Sequence, residues 1–188
     1  MSHDIGKKLI KECQYKKAIS IFKKLVEHKN DDLKANFFLG RIYYELNDLK
    51  NSNFFYKKCN KIQPNTYAIL FNLALVLQSL GEVNEAKNTY LKLISIYPKD
   101  IKSYYGLFVL DINNIESFHY KKLESLLHDN TISLVEKSLI NFMFSKFEQK
   151  SASFVNEINY LNLSHQQCYQ SNLDYNNQSD FYYKDIIS

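Results

Sequence analysis

The sequence predicts an all-α fold, a solenoid of antiparallel helix pairs that repeats every 34 residues. Three observations predict it. Pro64 and Pro98 lie 34 residues apart, and the segments before them superimpose without a gap. Small, large and aromatic residues recur within that period at helical spacing. Glycine (four) and proline (two) are scarce, which suits helices joined by short links and argues against a chain built on many tight β turns.

The period can be followed element by element. In the first helix of a pair, Leu39, Gly40 and Tyr43 are matched one period later by Leu73, Ala74 and Leu77. In the second helix, Ser52, Tyr56, Cys59 and Ile62 are matched by Ala86, Tyr90, Leu93 and Ile96. One period earlier stand Ile5, Gly6, Leu9, Tyr15, Ala18, Phe22 and Leu25. These spacings put a small residue beside a large one along one helix face, so that neighbouring helices approach closely. Asn47-Asp48 and Gly81-Glu82 make the links within pairs. Pro64 and Pro98 end each pair, because proline cannot continue the helical ladder and restricts the residue before it. A single pair cannot bury its apolar stripe, so the pairs must stack. After Leu107 the period fades.

The positions Leu39, Gly40, Tyr43, Ser52, Tyr56, Cys59 and Pro64, with their partners one period on, resemble the tetratricopeptide repeat signature over residues 1–112. The early Trp of that signature is replaced by Asn36 and Leu70. The resemblance implies a right-handed superhelix whose concave face, lined by the first helix of each pair, holds a peptide or helix of a partner protein. Carried over by position, that face comprises Lys34, Phe37, Arg41 and Tyr44, then Phe71, Leu75 and Gln78, then Lys102 and Tyr105. Its character is aromatic and basic, suited to an amphipathic or acidic-aromatic segment. Members that clamp a chaperone's C-terminal carboxylate use five set positions. Asn72 and Lys102 match, whereas Phe37, Arg41 and Gly106 do not.

Residues 113–170 are expected to form a divergent helical cap. Ile115 to His128 reads as one helix and Asp129 to Thr131 as a break. Ser133-x-x-Glu136 is a capping box that opens a longer helix. There Leu139, Ile140, Phe142, Met143, Phe144 and Phe147 make an apolar surface too wide for an exposed helix, expected to dock on the last repeat. A further helix is read from Phe154 to Leu163. Residues 171–188 are a polar, aromatic tail in which Asp180 to Ile187 reads like the start of another helix. Leu123 to Leu127, Leu139 to Lys146 and Asn162 to Tyr169 are similar to the region that joins such repeats to the catalytic domain in some sulfotransferases. That likeness implies the alternative, a non-catalytic repeat region or degenerate relative of such an enzyme. The donor-nucleotide loop of that family is absent from this sequence.

Composition narrows the function classes. An apolar fraction of 45% and a charged fraction of 23% describe a globular chain. The 14-residue apolar stretch from Tyr67 to Leu80 is broken by Asn72, Gln78 and Ser79. It falls short of the roughly 20 residues that span a bilayer and reads as a buried helix. Residues 1–100 carry 17 basic and 10 acidic groups, and residues 101–188 carry 7 and 10. The lysines are dispersed and Arg41 is the sole arginine, which argues against nucleic acid as the partner. Cys13, Cys59 and Cys168 form no CxxC pair, so no disulfide framework, metal site or cofactor is indicated, and the cytoplasm is the expected setting. The glycines are isolated and the histidines form no ligand pair. His165 and Cys168 share a helix face, yet their polar surroundings give a nucleophile no support. The expected function is a non-enzymatic protein-binding scaffold, with self-association through an uncovered end as a further option.

Overall fold

The computed structural model describes residues 3–172. The polar tail and the helix start expected from Asp180 to Ile187 lie outside the described residues. Among the described residues there are ten α-helices, one 3-10 turn and no strand. The helices are α1 (His3–Lys11), α2 (Tyr15–His28), α3 (Leu33–Glu45), α4 (Leu49–Ile62), α5 (Tyr67–Ser79) and α6 (Val83–Ile96). They continue with α7 (Ile101–Leu110), the 3-10 turn Ile112–Asn114, α8 (Ser117–Leu127), α9 (Leu134–Lys150) and α10 (Phe154–Ser171). The chain divides into two compact units, Met1–Pro98 and Lys99–Ser188.

In the first unit, three antiparallel pairs stack in chain order: α1 on α2, α3 on α4 and α5 on α6, with α2 against α3 and α4 against α5. Each pair is locked where a small residue of its first helix meets a ring of its second. Gly6 faces Phe22 and Gly40 faces Tyr56; Ala74 and Tyr90, one period on, are both fully buried. Burying a ring of this size stabilises the fold by about 1.5–3 kcal/mol. The third partner is the small residue at Ala18, Ser52 and Ala86, all at 0% exposure. Ser52 also donates its hydroxyl to the Gly40 carbonyl at 2.8 Å, which satisfies a polar group that burial would otherwise penalise.

The joints within pairs also repeat, whereas between pairs only Asn65, with φ 62°, turns left-handed. Cys13, Asn47 and Gly81 have φ values of 55°, 58° and 76°, the left-handed conformation that ends a helix in a Schellman turn. The next amide in each case bonds back to the helix: Gln14 to Leu9 at 2.8 Å, Asp48 to Tyr43 at 2.8 Å and Glu82 to Leu77 at 2.9 Å. Between pairs, the cap residues Lys29, Gln63 and Tyr97 turn the chain to extended or near-extended backbone. Pro64 and Pro98 follow two residues after the last helical residue. The N-cap positions Asp32, Thr66 and Asp100 complete the period.

The second unit abandons the repeat. Its centre is α9, which packs against α7, α8 and most extensively α10. Ile140, Met143 and Phe144 are buried. Tyr120 stacks on Phe144 with centroids 4.3 Å apart, and Phe108 meets both Phe142 and Phe147. The wide apolar face of α9 is thus met by rings of its own unit. The capping box opens α9 as expected, with Ser133 and Glu136 bonded reciprocally. A second box at Glu116 and His119 opens α8, and burial pushes the His119 imidazole below its ordinary pKa despite Glu116. Helix α10 reaches Ser171, well past the expected end at Leu163.

The two glycines of the interlock differ in clearance. A Cβ at Gly6 would come within 2.4 Å of the Phe22 ring, whereas one at Gly40 would sit 3.2 Å from Tyr56. Gly6→Ala is expected to destabilise the chain by about 1–3 kcal/mol through overpacking, offset by roughly 1 kcal/mol of helix propensity. Gly40→Ala should fall within about 1 kcal/mol of the parent. Denaturation midpoints of the two variants check this; equal midpoints would show that Phe22 moves aside without cost.

Candidate functional site

The first helices of the repeats lie side by side, α1 next to α3 and α3 next to α5, and two hollows open along them. One, of about 240 Å³, is lined by Lys7, Leu33, Lys34, Phe37, Phe38 and Ile69 among others. Its neighbour, of about 320 Å³, is lined by Lys7, Lys11, Tyr15, Phe38, Arg41 and Glu45 among others. Lys7 and Phe38 belong to both, so the hollows form one groove. Four cations and one carboxylate face it. Lys7 lies 5.8 Å from the centroid of the Phe38 ring and also reaches Asp4 at 3.6 Å. Phe38 itself stacks on Phe22 with centroids 5.1 Å apart.

The local sequence explains this placement. Asp32 caps α3 by accepting the Ala35 amide at 2.9 Å. Its carboxylate also pairs with His3 Nε2 at 2.9 Å, which ties α1 to the start of α3. Burial works to raise the Asp32 pKa, yet the Ala35 amide and His3 outweigh it and hold the carboxyl below its ordinary value. Asn36 fills the site of the repeat signature's Trp, fully buried, with its amide donated to the carbonyls of Asn30 and Asp32.

Of the residues expected on the face, Lys34, Phe37 and Arg41 line the groove. Phe37 is half-buried and edge-on to Tyr56 at 5.5 Å. Tyr44, Phe71, Leu75 and Gln78 follow along α3 and α5, all half-buried. Phe71 stacks on Tyr67. Gln78 accepts the Tyr90 hydroxyl at 2.9 Å. Burial, with a smaller contribution from Tyr44, pushes that phenol up to about 12, so it stays a donor. Lys102 and Tyr105 lie on α7 in the second unit, Lys102 exposed and Tyr105 engaged with Phe108 and Phe142.

Sequence reasoning missed Lys7, Lys11 and Phe38. Lys7 is Arg41 minus one period, so the same counting extended to the first repeat reaches it; Lys11 is Glu45 minus one period, and Glu45 was not among the expected positions. Phe38 had no such signal. Among the described residues no cluster of His, Cys, Asp and Glu could hold a metal ion, and no helix is long and apolar enough to cross a membrane. His165 and Cys168 both lie exposed on α10.

Residues 11–93 match a family described as anaphase-promoting complex, cyclosome, subunit 3. By shape the chain is similar to YrrB, described as a TPR protein with an unusual peptide-binding site, at a TM-score of 0.69 and 10% identity. That alignment covers 87% of this chain and 83% of YrrB. The helix pairs have the fold of tetratricopeptide repeats. The repeat protein is also similar to MamA (TM-score 0.73, 14% identity, 91% of this chain and 98% of that one). Likeness extends to PilF of Pseudomonas aeruginosa (TM-score 0.67, 16% identity, 87% and 73% covered). A sequence search of curated proteins returns no match. The comparisons lend no support to the alternative of a sulfotransferase repeat region.

Because α1 carries Lys7 and Lys11 to the groove, Asp32 is its anchor. Asp32→Ala is expected to cost about 1 kcal/mol of stability at neutral pH. A carboxyl whose folded pKa is lowered stabilises fully above its unfolded value of about 3.9 and loses that effect as pH falls through the folded value. The gap between variant and parent should therefore be present above about pH 4 and close below it. Denaturation midpoints across pH 2.5–7 measure it, and a gap that persists at the acid end would refute the assignment.

Proposed function

We propose that this chain is a non-catalytic protein-interaction scaffold of the cytosol, and that the groove along α1, α3 and α5 takes a segment of a partner protein. The observation that carries the reading is the composition of the groove. Lys7, Lys11, Lys34 and Arg41 surround Phe37 and Phe38, against the single carboxylate of Glu45. Aromatic rings offer large apolar contact at low entropic cost, and the cations around them select acidic residues in the ligand. Tyr44, Phe71, Leu75 and Gln78 continue the surface along α3 and α5, and Lys102 and Tyr105 are proposed as partner contacts on the second unit. The preferred partner is an acidic-aromatic peptide or amphipathic helix; the similar structure of YrrB is described as having an unusual peptide-binding site. Nucleic acid and membrane are not proposed partners.

The test is a fluorescence-polarisation screen of acidic-aromatic peptides against the parent chain and against Lys7→Glu with Arg41→Glu. Reversing two charge contacts should weaken the best binders roughly tenfold or more, at about 1.4 kcal/mol per decade. Lys92→Glu, on an exposed position of α6, should leave affinity unchanged, and helicity should be the same in all three proteins. Equal affinity of parent and double variant would remove the groove from consideration.

A further inference from the structure

The partner chemistry that the groove selects is written in this chain's own sequence. Residues 173–188, outside the described residues, carry Asp174, Asp180 and Asp185 against one Lys184. Among them stand Tyr175, Phe181, Tyr182 and Tyr183, followed by Ile186 and Ile187. No other stretch of the sequence concentrates acidic and aromatic residues in this way; Asp180-Phe181-Tyr182-Tyr183 is its densest part. The groove offers the complement: among its lining are four basic residues, one carboxylate and the half-buried rings of Phe37 and Phe38. The same opposition holds over the chain, with an excess of seven positive charges in residues 1–100 and of three negative charges in residues 101–188.

We propose that residues 173–188 of one copy bind the α1–α3–α5 groove of a second copy. The inference rests on the groove being a peptide site and names its occupant. The contact is head-to-tail: the surface given by one copy differs from the surface it receives, so association need not stop at two copies unless a ring closes. Opposite charges make it salt-dependent, because exposed charges are screened over about 8–10 Å at physiological ionic strength. A competing acidic-aromatic partner would displace the tail and return the chain to monomers, so that self-association and partner binding exclude one another.

The experiment uses full-length chains and sedimentation over a hundredfold range of concentration, at low and at high salt. The parent is expected to gain average mass with concentration, less so at high salt. A groove variant (Lys7→Glu, Arg41→Glu) and a tail variant (Phe181→Ala, Tyr182→Ala, Tyr183→Ala) should each stay monomeric alone. Mixed together they should form a heterodimer, since one retains the tail and the other the groove. That rescue cannot arise from a variant that has merely misfolded. A parent chain that is monomeric throughout, or a mixture that stays monomeric, overturns the proposal. If the groove variant nevertheless loses the peptides of the polarisation screen, the peptide site stands and only its self-occupancy fails; if it keeps them, both fail together.

Discussion

The contact between a small residue of one helix and an aromatic ring of the next sets the spacing of everything in the first unit. At Gly6 and Gly40 the backbone of the first helix is laid bare, and Phe22 and Tyr56 fill the opening, while Ala74 and Tyr90 are buried at the corresponding positions one period on. A larger side chain there would push the helices apart; a smaller ring would leave a void. Because each pair is closed at the corresponding position, the pairs stack in chain order and the first helices come to lie as neighbours. The groove is the outer surface of that neighbourhood. Its rings, Phe37 and Phe38, are the outward continuation of the same aromatic packing, since Phe37 is edge-on to Tyr56 and Phe38 stacks on Phe22.

This dependence explains what could be read in advance. Buried small-large pairs at fixed spacing leave a mark in the sequence, so the helices through Ile96 and their pairing were legible from Gly40, Ala74, Tyr56 and Tyr90. The breaks at Pro64 and Pro98 were legible for the same reason. The far end of α10 was not. Its contacts with α9 include Asn141 to Gln167 at 2.9 Å and the Ser164 hydroxyl to the Ser138 carbonyl at 2.9 Å. Such polar pairs leave no trace in hydropathy, and the apolar signal ceases at Leu163. The unit boundary after Pro98 was equally hidden, because α7 keeps the period at Leu107 while its rings pack on α9.

The groove was half legible. Lys34, Phe37 and Arg41 follow from the resemblance to the repeat signature, carried over by position. Counting back one period from Arg41 would also have supplied Lys7. Phe38 lies one position off that register. Its place in the groove goes with its stacking on Phe22, which faces Gly6 of α1, a matter of packing that no spacing rule encodes. Glu45, the one carboxylate among four cations, likewise gains its meaning only from the residues around it.

The joints carry a consequence of their own. The left-handed residues 13, 47 and 81, the extended caps 29, 63 and 97 and the N-caps 32, 66 and 100 present the same backbone geometry at each recurrence. A segment excised between any joint and its next copy leaves two matching ends, and a segment inserted there meets matching ends as well. Gain or loss of one whole helix pair at such joints would lengthen or shorten the row of first helices, and with it the groove, by one helix.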